Sequence, residues 1–152
     1  MDPKKILKLG KKLWPLNRSI TGEGVNQTLK ILKSYIKELR VIKFKSGKKV
    51  FDWTIPNEWK VNEAWIKDND GKKIIDFEKN NLHLVGYSSS IKKKLFFKEF
   101  KNKLHFHKKQ PNAIPYVTSY YKKNWGFCLT YNQFQKMDKK EKYEIYINSK
   151  FK

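Results

Sequence analysis

The stretch that decides the fold reads Ala64-Trp65-Ile66-Lys67-Asp68-Asn69-Asp70-Gly71-Lys72-Lys73-Ile74-Ile75-Asp76-Phe77. Two strand-forming runs flank a turn, and the Asp70-Gly71 pair tolerates the positive φ that a tight hairpin needs. The middle of the chain is therefore expected to be antiparallel β structure. On the C-terminal side, Leu82–Tyr87 reads as a further strand. Phe96, Phe97, Phe100 and Leu104 give a helical pattern over 95–104. Pro111 and Pro115 make the next segment irregular. Tyr116–Tyr121 and Trp125–Leu129 are strand-like, Tyr131–Met137 fits a short helix, and Tyr143–Ile147 alternates as a last strand.

On the N-terminal side the period changes. Val41–Phe44 and Val50–Trp53 read as strands around a Ser46-Gly47 turn. Before them, Val25, Leu29, Leu32, Ile36 and Leu39 recur at helical spacing and predict a helix over 22–39. Thr21 is the expected N-cap, and Glu23 suits the helix dipole. Ile6, Leu9 and Leu13 predict a short helix ended by Pro15. The fold class is α/β in the broad sense (α+β), with N-terminal helices followed by a β-rich region.

Aromatic residues make up 15% of the 152 residues and hydrophobic ones 39%, enough for a packed core. The formal charge of +21 points towards polyanions. However, only Arg18 and Arg40 of the 35 basic residues are arginine. Base-reading proteins lean on the guanidinium fork, so a lysine-rich solvated surface is the leading reading and nucleic acid is disfavoured as a partner. Cys128 is the single cysteine, which excludes an intrachain disulfide. The N-terminus lacks an uninterrupted apolar run, and no stretch has the length of a membrane span. The expected location is the cytoplasm.

Candidate chemistry is sparse. His105 and His107 straddle Phe106, so on a strand they would share a face and could chelate one ion. A catalytic zinc needs three protein ligands, and no carboxylate or cysteine lies close by in sequence, so a hydrogen-bonded or surface role leads for both and for His83. Cys128, between Phe127 and Leu129, reads as a small buried residue and not a nucleophile. Tyr116, Tyr120, Tyr121 and Trp125 lie near Lys122 and Lys123. Such interleaving could stack a ligand or could be one covered and one exposed sheet face. Trp53, Trp59 and Trp65 leave the same two readings open. No phosphate loop or nucleotide fingerprint is present.

Several ordered motifs carry a resemblance. Leu13-Trp14-Pro15-Leu16-Asn17-Arg18-Ser19-Ile20-Thr21-Gly22-Glu23-Gly24-Val25 is similar to the opening of a bacterial and archaeal family of aminopeptidase-like proteins. That family carries a domain of unknown function, is related to the di-zinc aminopeptidases, and is often found beside polysaccharide-biosynthesis genes. Lys49–Trp59, Ala64–Asp68, Asn81–Val85, Ile114–Tyr121 and Trp125–Leu129 resemble its later signatures. The resemblance implies that this chain is the N-terminal portion of a longer zinc hydrolase. The metal ligands of such proteins lie in segments with His-Pro-Ser and Ala-Asn-Asp-Asn motifs, which are not found here. No catalytic or metal residue is carried over. Where similar proteins have His-Leu-His, this chain has Lys103-Leu104-His105, which weakens His105 further as a ligand.

The resemblance implies residues 1–45 as the helical start of a peptidase-like domain. It implies 46–130 as a β-rich insertion beside the cleft, and 131–152 as the return. Arg18, Tyr120, Tyr121 and Trp125 become the cleft-lining candidates. Zinc and a peptide-like substrate are expected for full-length relatives, and the missing C-terminal part is the expected partner. A basic module for nucleic acid or anionic glycan is the alternative.

Overall fold

A computed structural model describes residues 2–152. Two compact units divide the chain: residues up to Lys60 together with Phe151–Lys152, and Val61–Lys150.

In the first unit, α1 (Pro3–Leu13) starts on Asp2, whose carboxylate accepts from Lys4 N at 2.9 Å, with Pro3 in the first turn. Helix α2 (Glu23–Tyr35) begins at Gly22, with no side-chain cap. Thr21 is thus not the N-cap: Gly22 takes that place at φ 120°, a left-handed conformation for which glycine is suited. The helix stops at Ile36, which turns extended and is half exposed. The apolar period continues to Leu39, but at Ile36 no packed surface is present to reward another turn. Gly24 is required for a different reason. A Cβ there would lie 1.9 Å from the Asn17 carbonyl oxygen, so the loop can close onto α2 only without a side chain.

The expected strand at 41–44 does not form. Val41, Ile42 and Phe44 are exposed and belong to no strand. Instead β1 (Lys49–Val50) pairs antiparallel with β2 (Trp53–Thr54), so 50–53 is a hairpin turn and not one strand.

The second unit holds a four-stranded sheet in the order β4-β3-β8-β5. Its strands are β3 (Trp59–Lys67), β4 (Lys73–Asp76), β5 (Ile91–Phe96) and β8 (Lys142–Phe151). The deciding hairpin closes as read: β3 and β4 pair antiparallel, and Gly71 sits at φ 77°. Tyr143–Ile147 lies inside β8, whose alternating side chains Tyr143, Ile145, Ile147 and Ser149 are buried.

The helix expected over 95–104 is present in its middle, over 97–103, but not as one continuous α-helix and not at its ends. Residues 91–96 pair with β8, from Ile91 opposite Ile147 to Phe96 opposite Lys142. Only α3 (Phe97–Phe100) and a short 3-10 turn follow before β6 (Leu104–His105). Lys92, Lys93 and Lys94 mask this strand in the sequence because it is a sheet edge, where lysines discourage further pairing. Phe100 is fully buried, against Phe97 (5.9 Å between ring centres) and Tyr143 (5.7 Å). Parallel pairing joins β6 to β7 (Phe127–Cys128). Helix α4 (Tyr131–Lys136) is capped reciprocally by Thr130 and Gln133.

Candidate functional site

The second unit contains a tyrosine cluster built on an unusual weave. Segment 84–89 runs between 117–119 and 124–127. Gly86 N donates to Val117 O, Ser119 N to Gly86 O, Val85 N to Gly126 O and Ser89 N to Asn124 O. The strands read over 82–87 and 116–121 are thus single bridges in an irregular layer. Two glycines permit it. A Cβ on Gly86 would come within 2.9 Å of Thr118 Oγ1, and one on Gly126 within 2.9 Å of Lys103 O. Ser88 ties the layer internally, its hydroxyl donating to Val85 O at 2.7 Å and accepting from Gly126 N.

This weave forces Tyr87 to φ 63°, in the left-handed region, while its side chain is buried. Strain of that kind in a bulky residue persists only where surroundings hold it. Tyr87 packs edge-on against Tyr120 at 4.9 Å, and Tyr120 lies 6.4 Å from Tyr121. The Tyr116 and Tyr120 hydroxyls are 3.4 Å apart. That hydrogen bond, with burial second, pushes the Tyr116 hydroxyl up to about 12. It is neutral at physiological pH and can donate or accept. Tyr116 and Tyr121 each leave nearly two thirds of their surface exposed. The arrangement offers open ring faces and a fixed hydroxyl pair to an uncharged polar ligand.

Of the residues singled out in the sequence, Tyr116, Tyr120 and Tyr121 come together. Trp125 lies under the Lys103 ammonium, 5.7 Å from its ring centre. Arg18 belongs to the first unit, where its guanidinium donates to Leu13 O at the end of α1. Tyr87 was legible only as part of a strand; its strained backbone has no sequence signature.

The histidines and the cysteine are accounted for structurally. His83 is buried and its Nδ1–H donates to Cys128 O at 2.8 Å. Burial holds its pKa below the usual value, against the pull of that hydrogen bond and of Asp76. His105 is half-buried, and burial and the Lys103 charge lower its pKa too. Strand β6 ends at His105, so the exposed His107 does not share a strand face with it. Burial pushes the Cys128 thiol up to about 12, which removes the thiolate a nucleophile needs. Among the described residues, no three His, Cys, Asp or Glu side chains gather where they could hold a metal ion. The donor set does not fit zinc. No helix among the described residues is long and apolar enough to cross a membrane.

A half-open cleft of about 540 Å³ lies between the 68–71 turn and the α4–β8 connection. Three of its four acids serve the turns: Asp68 accepts from Lys72 N, Asp138 from Lys140 N, and Glu141 from Asn69.

Residues 58–150 match the family described as domain of unknown function DUF2172. The chain belongs to the DUF2172 family. Its matched span coincides closely with the second unit, so the DUF2172 domain is the one carrying the four-stranded sheet and the tyrosine cluster. A Clostridium acetobutylicum protein named for polysaccharide biosynthesis and an aminopeptidase-like domain is 44% identical over 144 residues. Those cover 95% of this chain and 33% of that protein. A crystal structure of a C. acetobutylicum protein named as a peptidase superposes with a TM-score of 0.93 at 43% identity, over 98% of this chain and 35% of the other. The fold is therefore α+β, and the DUF2172 chain corresponds to the N-terminal portion of a protein of the aminopeptidase-like kind, spanning about a third of its length.

Proposed function

We propose that this chain is the substrate-side portion of an aminopeptidase-like hydrolase and is inactive alone. The 44% identity across nearly the whole chain to a protein named for an aminopeptidase-like domain carries this reading. In it the first unit opens the peptidase-like domain, while the DUF2172 domain stands beside its cleft. The exposed Tyr116 and Tyr121 rings and the Tyr120 hydroxyl contact a peptide-like substrate there. Zinc and its ligands belong to other segments of such a protein, because the donors here do not fit a metal. The proposed location is the cytoplasm, in keeping with a single, buried cysteine.

The test replaces the matching third of the C. acetobutylicum relative with this chain and measures hydrolysis of aminoacyl anilides. The fusion is expected to hydrolyse them, and the 152-residue chain is not. Tyr121→Ala is expected to raise KM severalfold with little change in kcat. A fusion and a parent protein that both leave such substrates untouched would contradict the reading. Stoichiometric, submicromolar zinc binding to the isolated chain by calorimetry would do the same.

A further inference from the structure

Phe51 is 99% exposed at the tip of the β1–β2 hairpin and adopts φ 54°. Either feature alone is uncommon; together they are costly. The two-residue turn Phe51–Asp52 joins Val50 to Trp53, which are directly paired. Glycine or asparagine normally fills a positive-φ position in such a turn. Here a phenylalanine takes the strained position with its ring pointing into water. A two-stranded hairpin is moreover marginal by itself.

The surroundings share this character. Phe44 is 61% exposed and Ile42 75% exposed, and both precede the hairpin in the same unit. Lys43, Lys45, Lys48 and Lys49 are interspersed with them, and Lys48 lies over the Phe44 ring at 5.7 Å. Residues 42–51 thus combine exposed apolar side chains with lysines, and their complement is an apolar pocket with an acidic rim.

We infer that Phe51 is a docking anchor through which the first unit packs onto the remainder of the aminopeptidase-like domain that it opens. The inference rests on the proposed function. The occupant follows from lengths. This chain spans 33% and 35% of the two similar C. acetobutylicum proteins, and the DUF2172 match begins only at residue 58. The hairpin therefore lies outside the DUF2172 domain, in the part that a longer protein would share with its remaining two thirds. Exposed aromatic side chains filling a pocket dominate interfaces of this kind.

The same fusion tests it with a different readout. Cys128 is buried, so Phe51→Cys introduces one accessible thiol. Its maleimide labelling, located by mass spectrometry, is expected to be fast in the isolated chain and at least tenfold slower in the fusion. Phe51→Gly relieves the turn, so it is expected to raise or hold the melting temperature of the isolated chain and to lower that of the fusion. Equal labelling in chain and fusion, or the same sign of thermal shift in both, overturns the anchor. Slow labelling in the isolated chain also overturns it, because a second copy would then be the occupant. A fusion that hydrolyses aminoacyl anilides while labelling quickly leaves the proposed function standing and removes only the anchor.

Discussion

The two units invert one another in where their apolar side chains lie. In the second, seventeen large or small apolar residues from Ala64 to Ile147 are buried, with Ile66, Phe100, Phe127, Leu129 and Ile145 at zero exposure. In the first, Ile55 and Trp59 are the only buried large apolar side chains among the described residues, and neither α1 nor α2 has one buried residue. Most of the chain's exposed large apolar side chains belong to the first unit, among them Trp14, Ile42 and Phe51. One unit is stabilised by its own core. The other has amphipathic elements whose apolar faces are only half covered, which is what an isolated piece of a larger core looks like.

The largest expected effect is on the second unit's core. Phe100→Ala should lower unfolding free energy by about 3–5 kcal/mol in urea titration, because the Phe97–Phe100–Tyr143 contacts leave a cavity behind. Ile6→Ala, on the half-exposed face of α1, should stay within about 0.5 kcal/mol. Equal losses would break the contrast.

Backbone approach gives the next effect. Gly126→Ala must push Lys103 O or Val85 aside and should cost about 1–3 kcal/mol. Gly24→Ala should instead unseat the 17–18 loop and reduce helical ellipticity, leaving the amide protection of Ile145 unchanged.

A pH dependence sharpens the picture of the second unit. His83 has a depressed folded-state pKa, so the unfolded chain takes up its proton first as pH falls. Stability is therefore independent of this group above about pH 6.5 and declines below it, by no more than about 1.4 kcal/mol per pH unit for one proton. Denaturation midpoints of His83→Asn between pH 7.5 and 5 should be flatter than those of the native chain. The smallest effect is Phe51→Gly in the isolated chain, a gain of a few tenths to about 1 kcal/mol.

Legibility in the sequence follows the same division. The β3–β4 hairpin, α4 and the centre of β8 were readable because local turn chemistry, capping and alternation agree with what tertiary packing rewards. Strand β5 was not, since three edge lysines hide its period and its pairing partner lies about fifty residues away in β8. The helix over 22–39 was overextended because its apolar repeat runs past Ile36, where the chain turns extended and half exposed. Tyr116, Tyr120, Tyr121 and Trp125 stood out as aromatic residues near lysines. The assembly of the three tyrosines with Tyr87 depends on the strained weave through Gly86, which no periodicity announces.

Hydrogen exchange of the isolated chain tests the central contrast most directly. Slow, globally protected amides are expected in β3 and β8, with exchange orders of magnitude faster in α1 and α2. Protection of α1 and α2 equal to that of β8 would contradict it, because the first unit would then be stable without any further domain.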